Sequence, residues 1–240
     1  MALQDLLDLS SSKRKEKLGY SEERIGAILP VMRNYVAFWR EYPDLFVDFL
    51  QTGGDPNIEP KLKLRFYQRV FMRVAMRYRY VYAVYPRGYS KSFLAVLILI
   101  LRAILYPGAK LFTSAGGKQQ AAGILAEKVN EILDLVPALR REIDWRPGKT
   151  KVQKDYCYYL FKNGSFIDNL AANERTRGKR RTAGVLEECA SMDGKTLQEI
   201  LIPTMNISRM CADGTTQMDE ILNQAQLYIT TAGYKSTFAY

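Results

Sequence analysis

Histidine is missing from all 240 residues of this chain. That absence excludes His-based acid–base catalysis and Cys/His zinc sites, so any general base must be Asp or Glu. Cysteine is scarce. Cys157, Cys189 and Cys211 are an odd number without metal-ligand spacing, and they read as reduced core residues of an intracellular protein. No apolar run is long enough to cross a membrane; the longest, FLAVLILILRAIL, is interrupted by Arg102 and reads as a buried helix. The N-terminal stretch MALQDLLDLSSSKRKEK lacks the basic-then-apolar order of a secretory signal. No internal repeat is visible. Positive charge is plentiful: 35 Lys and Arg against 25 Asp and Glu give a net charge of +10. Such a balance points to a polyanionic partner, most often nucleic acid, or to a merely solvated basic face.

The pattern of elements implies an α/β fold. Residues 1 to about 55 read as polar and helical, with breaks at Pro30 and Pro43. The turn cluster TGGDPNIEP (52–60) marks the boundary between a helical extension, 1–58, and a core, 59–240. In the core, a helix over 62–77 precedes the strand YVYAVY, and the helix KSFLAVLILILRAIL follows. Next come the strand KLFTSA and the helix KQQAAGILAEKVNEILDLV. A hairpin then turns at Asn163-Gly164, and the strand TAGVLEECA comes after it. A helix TLQEILIPTM ending at Pro203 and the strand AQLYITTAG close the series. Strands separated by helices imply a mostly parallel sheet flanked by helices.

Between the first core strand and its helix stands YPRGYSKS, a degenerate version of the phosphate-binding loop G-x-x-x-x-G-K-[ST]. Tyr85 and Ser90 occupy the two glycine positions, and only Lys91-Ser92 match the pattern. In such a loop, backbone N–H groups and the helix N-terminus hold phosphates. Lys91 then reaches the β and γ phosphates, and the Ser92 hydroxyl takes Mg²⁺. The plain alternative is a basic turn ahead of a buried helix. About 95 residues later, AGVLEECA puts Glu187 and Glu188 at the end of an apolar strand. This is the layout of the second phosphate-loop motif, where one carboxylate joins the Mg²⁺ shell and the next polarises water. Asp is usual at the first position, so Glu187 departs from the pattern by one methylene; an exposed Glu pair is the bland alternative.

With these motifs placed, the chain resembles the ATPase domain of the large terminase subunit of tailed bacteriophages, the DNA-packaging motor. PRGYSKS is similar to that family's arginine-bearing loop, and KLKLRFYQRVFM to its adenine-reading segment. FTSAGGKQQA, RTRGKRRTAGVLEECA and LYITTAG resemble its helicase-like strand and loop, its Arg-Gly run into the acidic pair, and its coupling motif. The likeness covers about 35–240. It implies a phosphate-loop NTPase of the additional-strand (ASCE) type that hydrolyses ATP with Mg²⁺ to translocate double-stranded DNA into a procapsid. Glu188 is then the base, Arg87 a cis-acting arginine at the γ phosphate, and Lys91 and Ser92 ligands of phosphate and Mg²⁺. Pro86, Gly88, Tyr89 and Ser90 complete the nucleotide loop, Gln68 reads adenine, and Tyr67 or Phe66 stacks on it. Glu187 joins Ser92 at the metal, and Thr230 and Thr231 couple hydrolysis to movement. The implied partners are double-stranded DNA, a portal protein, a small terminase subunit and further copies in a ring, with no membrane, in the host cytoplasm. The family's ribonuclease H-type nuclease domain is not expected here, since no spaced Asp cluster stands out and the chain stops just past the coupling motif.

Two basic tracts remain. Arg65, Arg69, Arg73 and Arg77 recur every four residues, a like-charged helical face that calls for acids elsewhere, for phosphates, or, as the simplest expectation, for solvent. ERTRGKRRT offers Arg175, Arg177 and Arg180 as DNA contacts or as a finger into a neighbouring subunit's site. The rivals are another translocase or helicase of the same fold, and a non-catalytic basic DNA-binding adaptor.

Overall fold

The computed structural model describes residues 22–209 and 224–231. Helices α1 (Glu22–Glu41), α2 (Pro43–Thr52) and α3 (Phe66–Arg77) lead to strand β1 (Tyr80–Val84) and helix α4 (Lys91–Leu105). Strand β2 (Lys110–Ala115) and helix α5 (Lys118–Leu135) follow, then the short strands β3 (Lys151–Val152) and β4 (Cys157–Leu160). Beyond them lie β5 (Phe166–Ala171) and β6 (Ala183–Glu187). Helix α6 joins Gly194–Thr196, a π-helical turn Leu197–Leu201, and Ile202–Thr204, before β7 (Ala225–Thr230).

The strands form one sheet in the order β1-β7-β6-β2-β5-β4-β3. From β1 to β5 every pairing is parallel, and β4 and β3 add an antiparallel edge. The strand that precedes the loop is therefore separated by one strand, β7, from the strand that ends in the two glutamates. Strands β2 and β6 are buried along nearly their whole length, which is why they read as continuous apolar runs and not as alternation. Helix α4 is buried on all sides from Phe93 to Leu105, as expected of a helix apolar all round its circumference. Arg102, 2% exposed, interrupts that run for a local reason: its guanidinium donates to the carbonyls of Ala75 and Met76 at the C-terminal end of α3. Trp39, Phe46 and Val47 of the N-terminal helices belong to the same buried cluster as α4. Among the described residues no helix is long and apolar enough to cross a membrane.

Several expectations need correction. Pro30 does not break the first helix; it lies inside α1. The predicted start at 62 gives way to Phe66, and α6 runs one residue past Pro203. The two-residue strand β3 is too short to leave a periodic signal. The arginine face of α3 is not simply solvated. Arg69 pairs with Asp48 (2.6 Å) and Asp44 (3.2 Å), Arg73 with Asp44 (2.8 Å), and Arg77 with Glu41 (2.8 Å). Burial alone would raise the Asp44 carboxyl, but hydrogen bonds from Arg73 and Arg69 hold it below its ordinary range. The hairpin turns at Asn163-Gly164 as expected, with Gly164 at φ 82°, and the Asn163 amide caps α4 by donating to the carbonyls of Ala103 and Ile104.

One glycine is required by close approach. Gly184 of β6 lies opposite Phe112 of β2, and a Cβ there would sit 2.2 Å from the buried Phe112 ring. Gly184→Ala is expected to cost about 1–3 kcal/mol by overpacking, read as a fall in Tm of roughly 2–4 °C per kcal/mol. Adding Phe112→Leu should return part of it.

Candidate active site

The loop after β1 makes two left-handed turns, at Gly88 (φ 82°) and at Ser90 (φ 54°, ψ 31°), and α4 begins immediately after. Ser90 thus takes the backbone conformation that favours glycine, while its carbonyl accepts the first α4 hydrogen bond from Leu94. Tyr85, at the other missing glycine, packs its ring on Phe71 (5.6 Å) and Tyr67 (6.3 Å) of α3. Tyr67 also meets Tyr89 of the loop at 5.5 Å. The aromatic substitutions thus tie the loop to α3.

The end of β6 meets this loop. The Ser92 hydroxyl donates to Glu187 Oε2 at 3.1 Å, across 95 residues of sequence. Glu187 is 2% exposed, and its other oxygen, Oε1, is buried with no hydrogen-bond partner. Burial pushes its carboxyl up to about 7; the Ser92 bond and the Lys91 charge oppose the rise, and Glu188 adds to it. Glu188, exposed, follows in a left-handed turn (φ 52°) held by Ser191, whose N–H and hydroxyl both donate to its carbonyl. Ser90 and Glu188 are the two non-glycine residues with positive φ among the described residues, and both stand here, where backbone strain commonly marks function.

The remaining candidates fall into three groups. Arg87 is exposed on the loop and has no ion-pair partner among the described residues. Gln68, 8% exposed, spends its carbonyl oxygen on the Arg65 N–H at the start of α3 (2.8 Å), which leaves its amide nitrogen as the end open to a ligand; Phe66 beside it is 84% exposed. Thr230 is buried at the end of β7, and its carbonyl accepts from the Tyr85 N–H, so loop entry and the end of β7 are joined directly. Thr231 closes the described part of that segment. Arg175 lies in the helical turn Glu174–Thr176, and Arg177 and Arg180 follow it in the connection to β6.

Sequence reasoning missed Lys128. It lines a cleft of about 240 Å³ beside Gly88–Phe93, held by Glu127 (2.8 Å) and Glu131 (2.9 Å). A lysine inside a helix of mixed charge gives no spacing signal.

The donor set suits a hard cation that keeps most of its ligands from phosphate and water, as Mg²⁺ does. One hydroxyl and one buried carboxylate with an unpartnered oxygen fit it. Among the described residues no group of three His, Cys, Asp or Glu is gathered for a dedicated metal cage.

Since the acid strand and the loop strand flank an inserted strand in a mostly parallel sheet, the fold is that of an additional-strand phosphate-loop NTPase. No family model and no curated protein matches the chain. Among solved structures it is similar to the large terminase of bacteriophage HK97, with a TM-score of 0.53 and 14% identity over 77% of this chain and 36% of that one. It is likewise similar to the large terminase ATPase domain of Thermus phage P74-26, with a TM-score of 0.50 and 16% identity over 77% of this chain and 68% of that one. The resemblance expected from motif order is therefore found at the level of fold.

The Glu187 environment carries a pH signature. Between 4.5 and about 7 the folded chain keeps a proton that the unfolded chain has lost, so stability falls as pH rises through that window. Metal-free protein is expected to lose roughly 3 kcal/mol on this account between pH 4.5 and 8. Urea unfolding of Glu187→Gln should lack that part of the slope.

Proposed function

We propose that this chain is the ATPase motor domain of a viral large terminase, hydrolysing ATP to translocate double-stranded DNA into a procapsid. The observation that carries the reading is the Ser92–Glu187 hydrogen bond, which brings the Lys-Ser end of the loop to a buried carboxylate with one oxygen unpartnered. In this reading residues 59–240 are the motor core and 1–58 its helical extension.

The loop N–H groups and Lys91 bind the β and γ phosphates. Glu188 accepts the proton of the attacking water. Arg87 swings to the γ phosphate and offsets the charge that develops there. Gln68 offers its amide to adenine, and Tyr67 or Phe66 stacks on the base. Ser92 and Glu187 would hold Mg²⁺, which would supply neutralisation of the phosphate charge. Thr230 senses the γ phosphate and passes the change to the loop through the Tyr85 N–H, with Thr231 continuing the segment. Portal protein, small terminase subunit and a ring of copies complete the assembly in the host cytoplasm. Arg175, Arg177 or Arg180 reaches a neighbour's nucleotide or the DNA.

The test is ATP turnover with and without Mg²⁺ and duplex DNA. Mg²⁺-dependent, DNA-stimulated hydrolysis without strand separation supports the motor. Strand separation points to a helicase, and no hydrolysis with DNA and portal present points to the adaptor.

A further inference from the structure

A second cleft, about 410 Å³, opens near the far side of the sheet, against β4 and β5. Strand β5 is four positions from β1, roughly 19 Å at the usual strand spacing, so this cleft is separate from the phosphate loop. Tyr156, Tyr158 and Phe166 form one wall, all partly buried, with the Tyr158 and Phe166 rings 5.2 Å apart and the Arg181 guanidinium 5.1 Å from the Phe166 centroid.

The rim is basic in a particular way. Arg177, next in sequence to the lining residue Thr176, is paired with Glu174 (3.0 Å) and Glu199 (3.5 Å), and the lining Arg181 with buried Asp168. Arg175 and Lys179, by contrast, are exposed and have no ion-pair partner among the described residues. The N-terminus of α5, whose first turn holds no acid, also reaches this cleft at Lys118. Lys118 is already paired with Asp155 (2.7 Å). Among the described residues the only carboxylate lining the cleft, Asp168, is neutralised by Arg181.

Uncompensated cations beside an aromatic wall match a nucleic-acid strand whose base has left its stack: phosphates meet the cations, and the base lies against the rings. A duplex keeps its bases stacked and has no use for the wall. We propose that this cleft holds an unpaired nucleotide of a DNA strand, its phosphates on Arg175 and Lys179 and its base against Tyr156 and Tyr158. The proposal deepens the motor reading by giving the DNA a second, separate grip, at a strand end or a locally opened pair.

Fluorescence anisotropy of labelled dT12 and of a 12-base-pair duplex, without ATP or Mg²⁺, tests it. Arg175→Glu and Lys179→Glu should each weaken dT12 binding by about tenfold or more. Tyr158→Ser should weaken dT12 by about tenfold and change duplex binding by less than about twofold. Unchanged dT12 affinity in the two charge reversals, which sit on exposed positions and spare the fold, overturns the site. Equal loss for duplex and dT12 in Tyr158→Ser, with native circular dichroism, overturns the unpaired base, and displacement of dT12 by an equal nucleotide concentration of free dTMP overturns the DNA strand as occupant. Lys91→Ala should leave dT12 binding intact. If wild type hydrolyses no ATP while the cleft variants still lose dT12, the motor reading fails and the cleft stands.

Discussion

Glu188→Gln is expected to lower ATP turnover by about 10²–10⁴-fold, the usual worth of a positioned general base. Nucleotide affinity in this variant should stay within about twofold of wild type, because in the proposed mechanism the lost group acts on water and not on the bound phosphates. Glutamine keeps the size of the side chain and accepts the same left-handed turn, which Ser191 holds from its backbone and hydroxyl. The variant therefore removes a proton acceptor and little else. Lys91→Ala should abolish turnover as well, but with binding lost too, since its ammonium stands at the first turn of α4 and next to the Glu187 charge. A fluorescent ATP analogue and phosphate release, measured on both proteins, separate the two effects. Turnover by Glu188→Gln near the wild-type rate would falsify the assignment of the base.

Much of this site was legible because its chemistry is local. Lys91-Ser92 at a strand–helix junction and Glu187-Glu188 at an apolar strand end are short patterns, and each landed on the element expected of it. Serine at position 90 was legible only as a small residue; its left-handed φ shows that the loop kept glycine's backbone without glycine. The inserted strand was expected only through the family resemblance. The placing of β7 between β1 and β6 follows from packing between distant segments, and no sequence period encodes it. The arginine face of α3 misled for the same reason, since its acids come from α1 and α2, at Glu41, Asp44 and Asp48. Pro30 shows that a helix interior tolerates proline when neighbouring turns carry it, so the residue marks a boundary less firmly than local rules suggest. Arg181, inside the basic tract ERTRGKRRT, gave no signal that it pairs with Asp168 of β5.

That pair supports the second large prediction. Arg181 and Asp168 are both almost fully buried, joined through Arg181 Nε to Asp168 Oδ1 at 3.1 Å and a second, shorter contact. Burial holds the Asp168 carboxyl above its ordinary value even with the Arg181 charge opposing it. Arg181→Ala leaves an acid in a dry site with no paired cation, only the charge of Lys179 nearby, and is expected to cost about 3–5 kcal/mol at pH 8. The loss should shrink as the pH falls. A carboxyl whose folded value is raised keeps its proton where the unfolded chain has lost it, so stability declines with rising pH across that interval. Arg181→Ala widens the interval upward. Replacing both partners, as Asp168→Leu with Arg181→Met, removes the charge together with its need for compensation, and should return most of the stability. Urea unfolding of wild type, single and double variants at pH 5 and pH 8 checks all three statements. A single variant that unfolds like wild type at pH 8 means that the carboxylate finds water, and that the floor of the second cleft is wetter than its burial indicates.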